Sequence, residues 1–150
     1  MAQVHNFSQK AQHEAIRLAS TYANFAQNQT LYAHKAIGTS LSTYAVAMAD
    51  YFGKPQVLSI DISSWTGEIG QRIHIRARDN VMVLSVRLMI RENNDSETTL
   101  EAGEAVQSKT DGLLWTYTTT RRVPQTPGTR LEVFAYDLPG NRAINCLELE

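Results

Sequence analysis

The sequence predicts an α+β fold: an N-terminal helical arm or hairpin over residues 1–54, then an antiparallel β-sandwich of about seven strands over residues 55–150. Three observations carry this. The apolar residues recur at helical spacing up to Phe52 and alternate with a period of 2 after Pro55, and the stop signal Gly53-Lys54-Pro55 lies between the two patterns. The chain has 150 residues and is 43% hydrophobic and 19% charged, enough to bury roughly 70% of its unfolded surface without a disulfide or a metal. The single Cys146 agrees, since it has no partner for an intramolecular bridge.

In the first half, Phe7, Ala11, Ala15, Leu18, Ala19, Tyr22, Phe25 and Ala26 begin a stripe that continues through Tyr32, Ala36, Leu41, Tyr44, Ala45, Met48 and Phe52. Asn6 or Ser8 is placed to cap its start, and Gly53 to take a left-handed cap at its end, where Pro55 prevents continuation. A single helix of this length would run to nearly ~70 Å at 1.5 Å per residue, so the spacing predicts a break at Gly38-Thr39-Ser40 into two helices. Ser20-Thr21-Tyr22-Ala23 recurs as Ser42-Thr43-Tyr44-Ala45, a match short enough to arise by chance among helix-surface residues. The stripe is also longer than one small sandwich face, whose strands span ~17–20 Å, can cover. A second chain is the expected cover, so Leu18, Tyr22, Phe25, Tyr44 and Met48 are candidate interface residues, with Trp65 beside the boundary of the two halves.

The second half reads as strands at Val57–Ile62, Arg72–Arg78, Val83–Arg91, Thr98–Val106, Leu113–Thr120, Arg130–Tyr136 and Arg142–Leu149. Ile73, Ile75 and Ala77 alternate with His74, Arg76 and Arg78, and Leu84, Val86, Leu88 and Ile90 with Ser85, Arg87, Met89 and Arg91, so each strand turns an apolar face inward. Trp115 and Tyr117, two apart on a central strand, belong to the core. Gly67-Glu68-Ile69-Gly70 reads as a turn, because it lacks the spacing of a phosphate-cradling loop. Pro139, Gly140 and the flanking Asp137 and Asn141 make a hairpin turn before the last strand.

Three stretches resemble bacterial immunoglobulin-like domains of the Big type, over about Ile73–Leu149: Ala77-Arg78-Asp79-Asn80-Val81 leading into Leu84-Ser85-Val86-Arg87-Leu88; Leu114-Trp115-Thr116-Tyr117-Thr118; and Val133-Phe134-Ala135-Tyr136-Asp137-Leu138-Pro139-Gly140-Asn141-Arg142-Ala143. The resemblance implies an immunoglobulin-like sandwich of the kind carried by surface adhesins and phage virion proteins, which serves as spacer, adhesive or assembly module alike. The helical first third lies outside it.

Charge and chemistry narrow the function. Fourteen Lys+Arg against fifteen Asp+Glu leave a net charge of -1 and no global field for nucleic acid or an anionic membrane. No stretch approaches the ~18 apolar residues of a membrane span, and the first residues lack the basic start and apolar run of a secretory signal, so the expected location is the cytoplasm or a particle assembled there. His5, His13, His34 and His74 show no metal-ligand spacing with one another or with Cys146, and no Gly-x-Ser-x-Gly elbow marks a nucleophile. No metal and no cofactor is expected, and no catalytic residue is named. Asp61, Asp79, Asp137 and several Glu residues are the acids whose pairing could support acid–base chemistry, and Asp79, Asn80, Asp137 and Asn141 could offer oxygen ligands to calcium, although such acids more often cap turns or face water and Asx residues are common turn-makers. The leading expectation is a non-enzymatic module that self-associates or docks into a larger assembly through its helices. The alternative is a carbohydrate- or anion-binding module using Arg76, Arg78, Arg87 and Arg91 as one basic sheet face, against the plainer reading of a solvated face paired with Glu92, Glu101, Glu104 or Glu132. An enzyme with a site between helices and sandwich is the third reading.

Overall fold

The computed structural model describes residues 2–26, 30–92 and 98–150, with the side chains of 9–26, 31–92 and 98–150. The chain divides into two compact units, Met1–Gly53 and Lys54–Glu150.

Among the described residues the first unit holds α1 (Ala2–Ala26), α2 (Thr30–Ala36) and α3 (Thr43–Phe52), three helices where two were expected. Helix α1 starts at Ala2, so Asn6 and Ser8 lie inside it instead of capping it; their side chains fall outside the described residues. The expected break is present: α2 ends at Ala36, Gly38 takes φ +80°, and α3 starts behind the Ser42 cap, whose Oγ accepts the Ala45 N–H at 3.1 Å. The left-handed residue is thus Gly38 and not Gly53, which sits at φ -74° and ψ 142° while its N–H bonds Ala49 O.

Ala19, Ala23 and Ala26 form the buried side of α1, and their small side chains let it lie against α3, which buries Val46 and Ala47. The two Ser-Thr-Tyr-Ala copies hold unlike positions, one near the C-terminal end of α1 and one at the α3 cap, and they meet where Ser20 Oγ lies 2.6 Å from Tyr44 Oη.

Among the described residues the second unit has eight strands: β1 (Gln56–Asp61), β2 (Arg72–Arg78), β3 (Val83–Arg91), β4 (Thr99–Glu104), β5 (Val106–Gln107), β6 (Leu114–Thr118), β7 (Arg130–Asp137) and β8 (Arg142–Glu148). They form two antiparallel four-stranded sheets, in the orders β1-β2-β6-β5 and β4-β3-β7-β8. Ile73, Ile75, Ala77, Trp115 and Tyr117 of the first sheet share one buried cluster with Val86, Leu88, Ile90, Leu131, Val133 and Ala135 of the second, as sheets packed face to face require.

The expected strand Thr98–Val106 is two strands in two sheets. Pairing with β3 ends at Glu104, buried Ala105 donates to Val86 O at 2.8 Å, and Val106 then pairs with Thr116 of β6. Period-2 alternation persists through such a crossing, so the pattern alone does not reveal it.

The loop before β2 is the expected turn and is held by side chains. Gln71 Oε1 accepts the N–H groups of Thr66 and Glu68 at 2.7 and 3.1 Å, and Thr119 Oγ1 donates to Glu68 O at 2.8 Å. Gly67, at φ +96°, touches the opposite loop so closely that a Cβ there would lie 2.3 Å from Val123 O.

Candidate functional site

Helix α1 of the first unit exposes apolar residues along one side. Ala11, Ala15, Leu18, Tyr22 and Phe25 follow one another at steps of four and three, the spacing of a coiled-coil seam, and this seam lies beside the buried Ala19-Ala23-Ala26 row and not within it. Leu18 is 45% exposed and Phe25 88% exposed. Leu18, Thr21, Tyr22, Asn24, Phe25 and Tyr51 line an open groove of about 600 Å³.

Aromatic contacts fix the floor of that groove. Tyr22 lies 5.5 Å from Tyr51, ring centre to ring centre, and meets Tyr32 edge-on at 6.2 Å; Tyr51 meets Phe52 edge-on at 5.7 Å. The Tyr22 and Tyr32 hydroxyls are hydrogen-bonded, and Tyr32 donates to buried Asp50 Oδ2 at 2.6 Å. Burial, then the hydrogen bond to Asp50, pushes the Tyr32 hydroxyl well above the ordinary tyrosine range, so it stays a donor. Leu18 and Phe25 therefore stand exposed on a base whose ring positions are set by contacts among Tyr22, Tyr32 and Tyr51.

Of the other expected interface residues, Tyr44 and Met48 are half-buried, and Tyr44 spends its hydroxyl on Ser20. Trp65 is a correction: it is 3% exposed and belongs to the sandwich core, where its backbone carbonyl accepts Gln125 Nε2 at 2.8 Å. An aromatic in a Ser- and Gly-rich loop looks exposed from sequence, but this loop folds back over the end of the sheets. Trp115 and Tyr117 are buried as expected, with Tyr117 hydrogen-bonded to Glu101.

The four arginines do not form one face. Arg76 and Arg78 lie on β2 in one sheet, whereas Arg87 and Arg91 lie on β3 in the other, so the two pairs project from opposite sides of the two-sheet unit. The expected patch assumed that β2 and β3 are neighbours; the turn at Asp79, whose Oδ2 accepts the N–H groups of Val81 and Met82 at 3.2 Å, instead carries the chain between sheets. Each arginine has a local partner. Arg76 pairs with Asp111 at 3.2 Å, Arg78 donates to Gln56 Oε1 at 2.9 Å, and Arg87 pairs with Glu104 at 3.2 Å. Arg91 and Arg130 flank Glu132, each with Nε 3.1 Å from it.

Of the acids singled out from the sequence, Asp79 and Asp137 come together, with carboxylate oxygens within 4.8 Å of each other, and each of Asp61, Asp79 and Asp137 also accepts backbone N–H groups of its own loop. Asp137, 1% exposed, accepts the Asn141 N–H at 2.7 Å and Asn141 Nδ2 at 3.1 Å, closing the β7–β8 hairpin around Gly140 at φ +97°. Burial raises its carboxyl above the usual range, opposed by the Asn141 hydrogen bonds and reinforced by the nearby Asp79 charge. Asp61 is held below its usual range by the Ser63 N–H that it accepts at 2.9 Å. His74, paired in register with Asp61, lies 3.3 Å from Thr116 Oγ1, and a shallow cavity of about 300 Å³ lies among Ser59, Asp61, His74, Arg76 and Leu114. His13 and His34 are exposed. His5 lies outside the residues whose side chains are described.

Neither the family models nor the curated proteins include a match to this chain. No helix among the described residues is long and apolar enough to cross a membrane.

Sequence reading missed Tyr51, Tyr32 and Asp50 as the groove's foundation. A signal existed: Asp50 falls three and four residues after Ala47 and Val46, so the spacing puts a carboxylate on the buried side of α3, where it needs a donor.

Proposed function

We propose that this protein is a non-enzymatic assembly module whose α1 seam, Leu18, Tyr22 and Phe25, associates with a second copy of the chain. The observation that carries the reading is Phe25 at 88% exposure on a seam with coiled-coil spacing, beside a separate row that already serves the intramolecular contact. A ring left in water across so much of its area is covered at little cost by the same ring of a two-fold related copy.

The second unit acts in this reading as an immunoglobulin-like body of the Big type. Its support is the strand order: with the strands lettered A, B, C, C′, D, E, F and G in sequence, β1-β2-β6-β5 is A-B-E-D and β4-β3-β7-β8 is C′-C-F-G. A scaffold role in a larger particle, built in the cytoplasm from repeated copies, fits a chain with an exposed apolar seam on α1 and with Arg76, Arg87 and Arg91 each paired to a local acid.

The test is the mass of the full chain by light-scattering chromatography, beside L18S/F25E. The wild type is expected to be oligomeric and the variant to have a lower mass. Equal masses for the two, with unchanged helical circular dichroism, overturn the proposal.

A further inference from the structure

Strand β8 ends its sheet, so one side of its backbone has no strand partner in the order β4-β3-β7-β8. The pairing shows which residues face that side. Asn141 O accepts from Asp137 N, and Leu149 N donates to Thr129 O, so odd-numbered residues direct their backbone groups at β7. Backbone direction alternates along an antiparallel strand, so Arg142, Ile144, Cys146 and Glu148 direct theirs at the open edge. Consistently, the Cys146 N–H is met by a side chain, Asn145 Oδ1, at 2.9 Å. Beyond the edge lies β1 of the other sheet, which approaches β8 without pairing with it and accepts a long side-chain hydrogen bond, Asn145 Nδ2 to Val57 O at 3.4 Å.

The same residues are chemically self-complementary about Asn145. Arg142 and Glu148 lie three positions to either side, and Ile144 and Cys146 one position to either side. Arg142, Ile144, Cys146 and Glu148 are all exposed, and the Arg142 guanidinium lies 5.8 Å over the Phe134 ring with its outer edge in solvent. Edge strands usually carry charges that deter pairing, but charges of opposite sign placed symmetrically attract in an antiparallel self-pair.

We infer that β8 pairs antiparallel with β8 of a second copy about a two-fold axis at Asn145, joining two four-stranded sheets into one of eight. Arg142 then faces the partner's Glu148, twice, and Ile144 faces the partner's Cys146. The parity is consistent: both partners in each of these pairs direct their backbone groups at the edge, as hydrogen-bonded antiparallel pairs require. Asn145 faces its own copy as a non-hydrogen-bonded pair, with Cα atoms about 4.5 Å apart. This contact is independent of the α1 seam, and the two together build an assembly larger than a dimer.

The experiment uses the full chain in the L18S/F25E background, so that failure of the helical seam is separate from failure of the strand pair. Light scattering is expected to show a residual dimer. R142E places like charges opposite each other and is expected to weaken it about tenfold, and R142E/E148R to restore it. N145C/C146S is expected to form a disulfide-linked dimer under mild oxidation, because about 4.5 Å is within the Cα range of a disulfide, and R142E is expected to suppress that link. A monomer in the L18S/F25E background, no recovery in R142E/E148R, or equal crosslinking with and without R142E overturns the inference.

Discussion

Tyr32 donates its hydroxyl proton to Asp50 Oδ2 across 2.6 Å, so a helix of seven residues supplies a hydrogen bond to a buried carboxylate of α3. Tyr22 joins the same chain through its own hydroxyl, which links the exposed groove to the buried Asp50. Removing the Tyr32 hydroxyl takes away both contacts while leaving the ring in place. Tyr32→Phe is expected to destabilise the helical unit by about 1–3 kcal/mol, read by urea unfolding followed in the helical circular dichroism. Because burial raises the folded-state value above the ordinary 10.0, the hydroxyl's contribution is complete below pH 10 and is lost as pH rises through the folded value. The wild type should therefore lose stability in that alkaline window and Y32F should lose less.

Gly67→Ala tests the loop that seals the end of the sheets. The substitution meets two obstacles, φ +96° and a Cβ only 2.3 Å from a backbone oxygen that has no flexible side chain to yield. A loss of about 1–3 kcal/mol from the dihedral alone, with the clash added, should lower the melting temperature by at least about 4 °C. Gly140→Ala carries the same dihedral penalty with open space around the Cβ, so it should cost less.

Asp137 makes a pH prediction of the opposite kind from an ordinary surface acid. Its folded-state value is raised by burial above 3.8, so its contribution to stability is present below that value and is lost as pH rises through the folded one. Asp137→Asn removes this dependence while keeping one acceptor for the Asn141 N–H. The stability difference, wild type minus D137N, should become more positive as pH falls from 7 toward 4, measured by denaturant midpoints at each pH.

Arg76 and the pair Arg87 and Arg91 project from opposite sides of the two-sheet unit, which sets how they act on a polyanion. R76S/R87S/R91S should elute from a heparin column at a salt concentration lowered by the sum of the separate R76S and R87S/R91S shifts. A loss exceeding that sum would mean that the two sides grip one ligand together.

The period change at Pro55 was legible because helix and strand impose different repeats on the same apolar residues, and β2 and β3 were readable to the residue for that reason. Gly38 and the Asp137–Asn141 turn were legible too, since a turn depends on the local preferences of a few consecutive residues. The partition of strands between sheets was not. Asp79 makes equally good local bonds whether the next strand pairs with β2 or crosses away, and Ala105 alternates as well through a sheet switch as along one strand. That ambiguity undid the single arginine face, because side-chain direction within a strand is a local property whereas adjacency between strands is a long-range one.

Trp65 and Asp50 show the same division from the side of burial. The sequence by itself determined the change of period and the residues able to make each turn, both consequences of backbone geometry over a few neighbours. Only the tertiary structure decided that Trp65 lies inside, that Phe25 stands outside, and that Asp50 meets Tyr32. Burial and hydrogen-bond partnership depend on which distant segments close over a residue, and no local repeat encodes that.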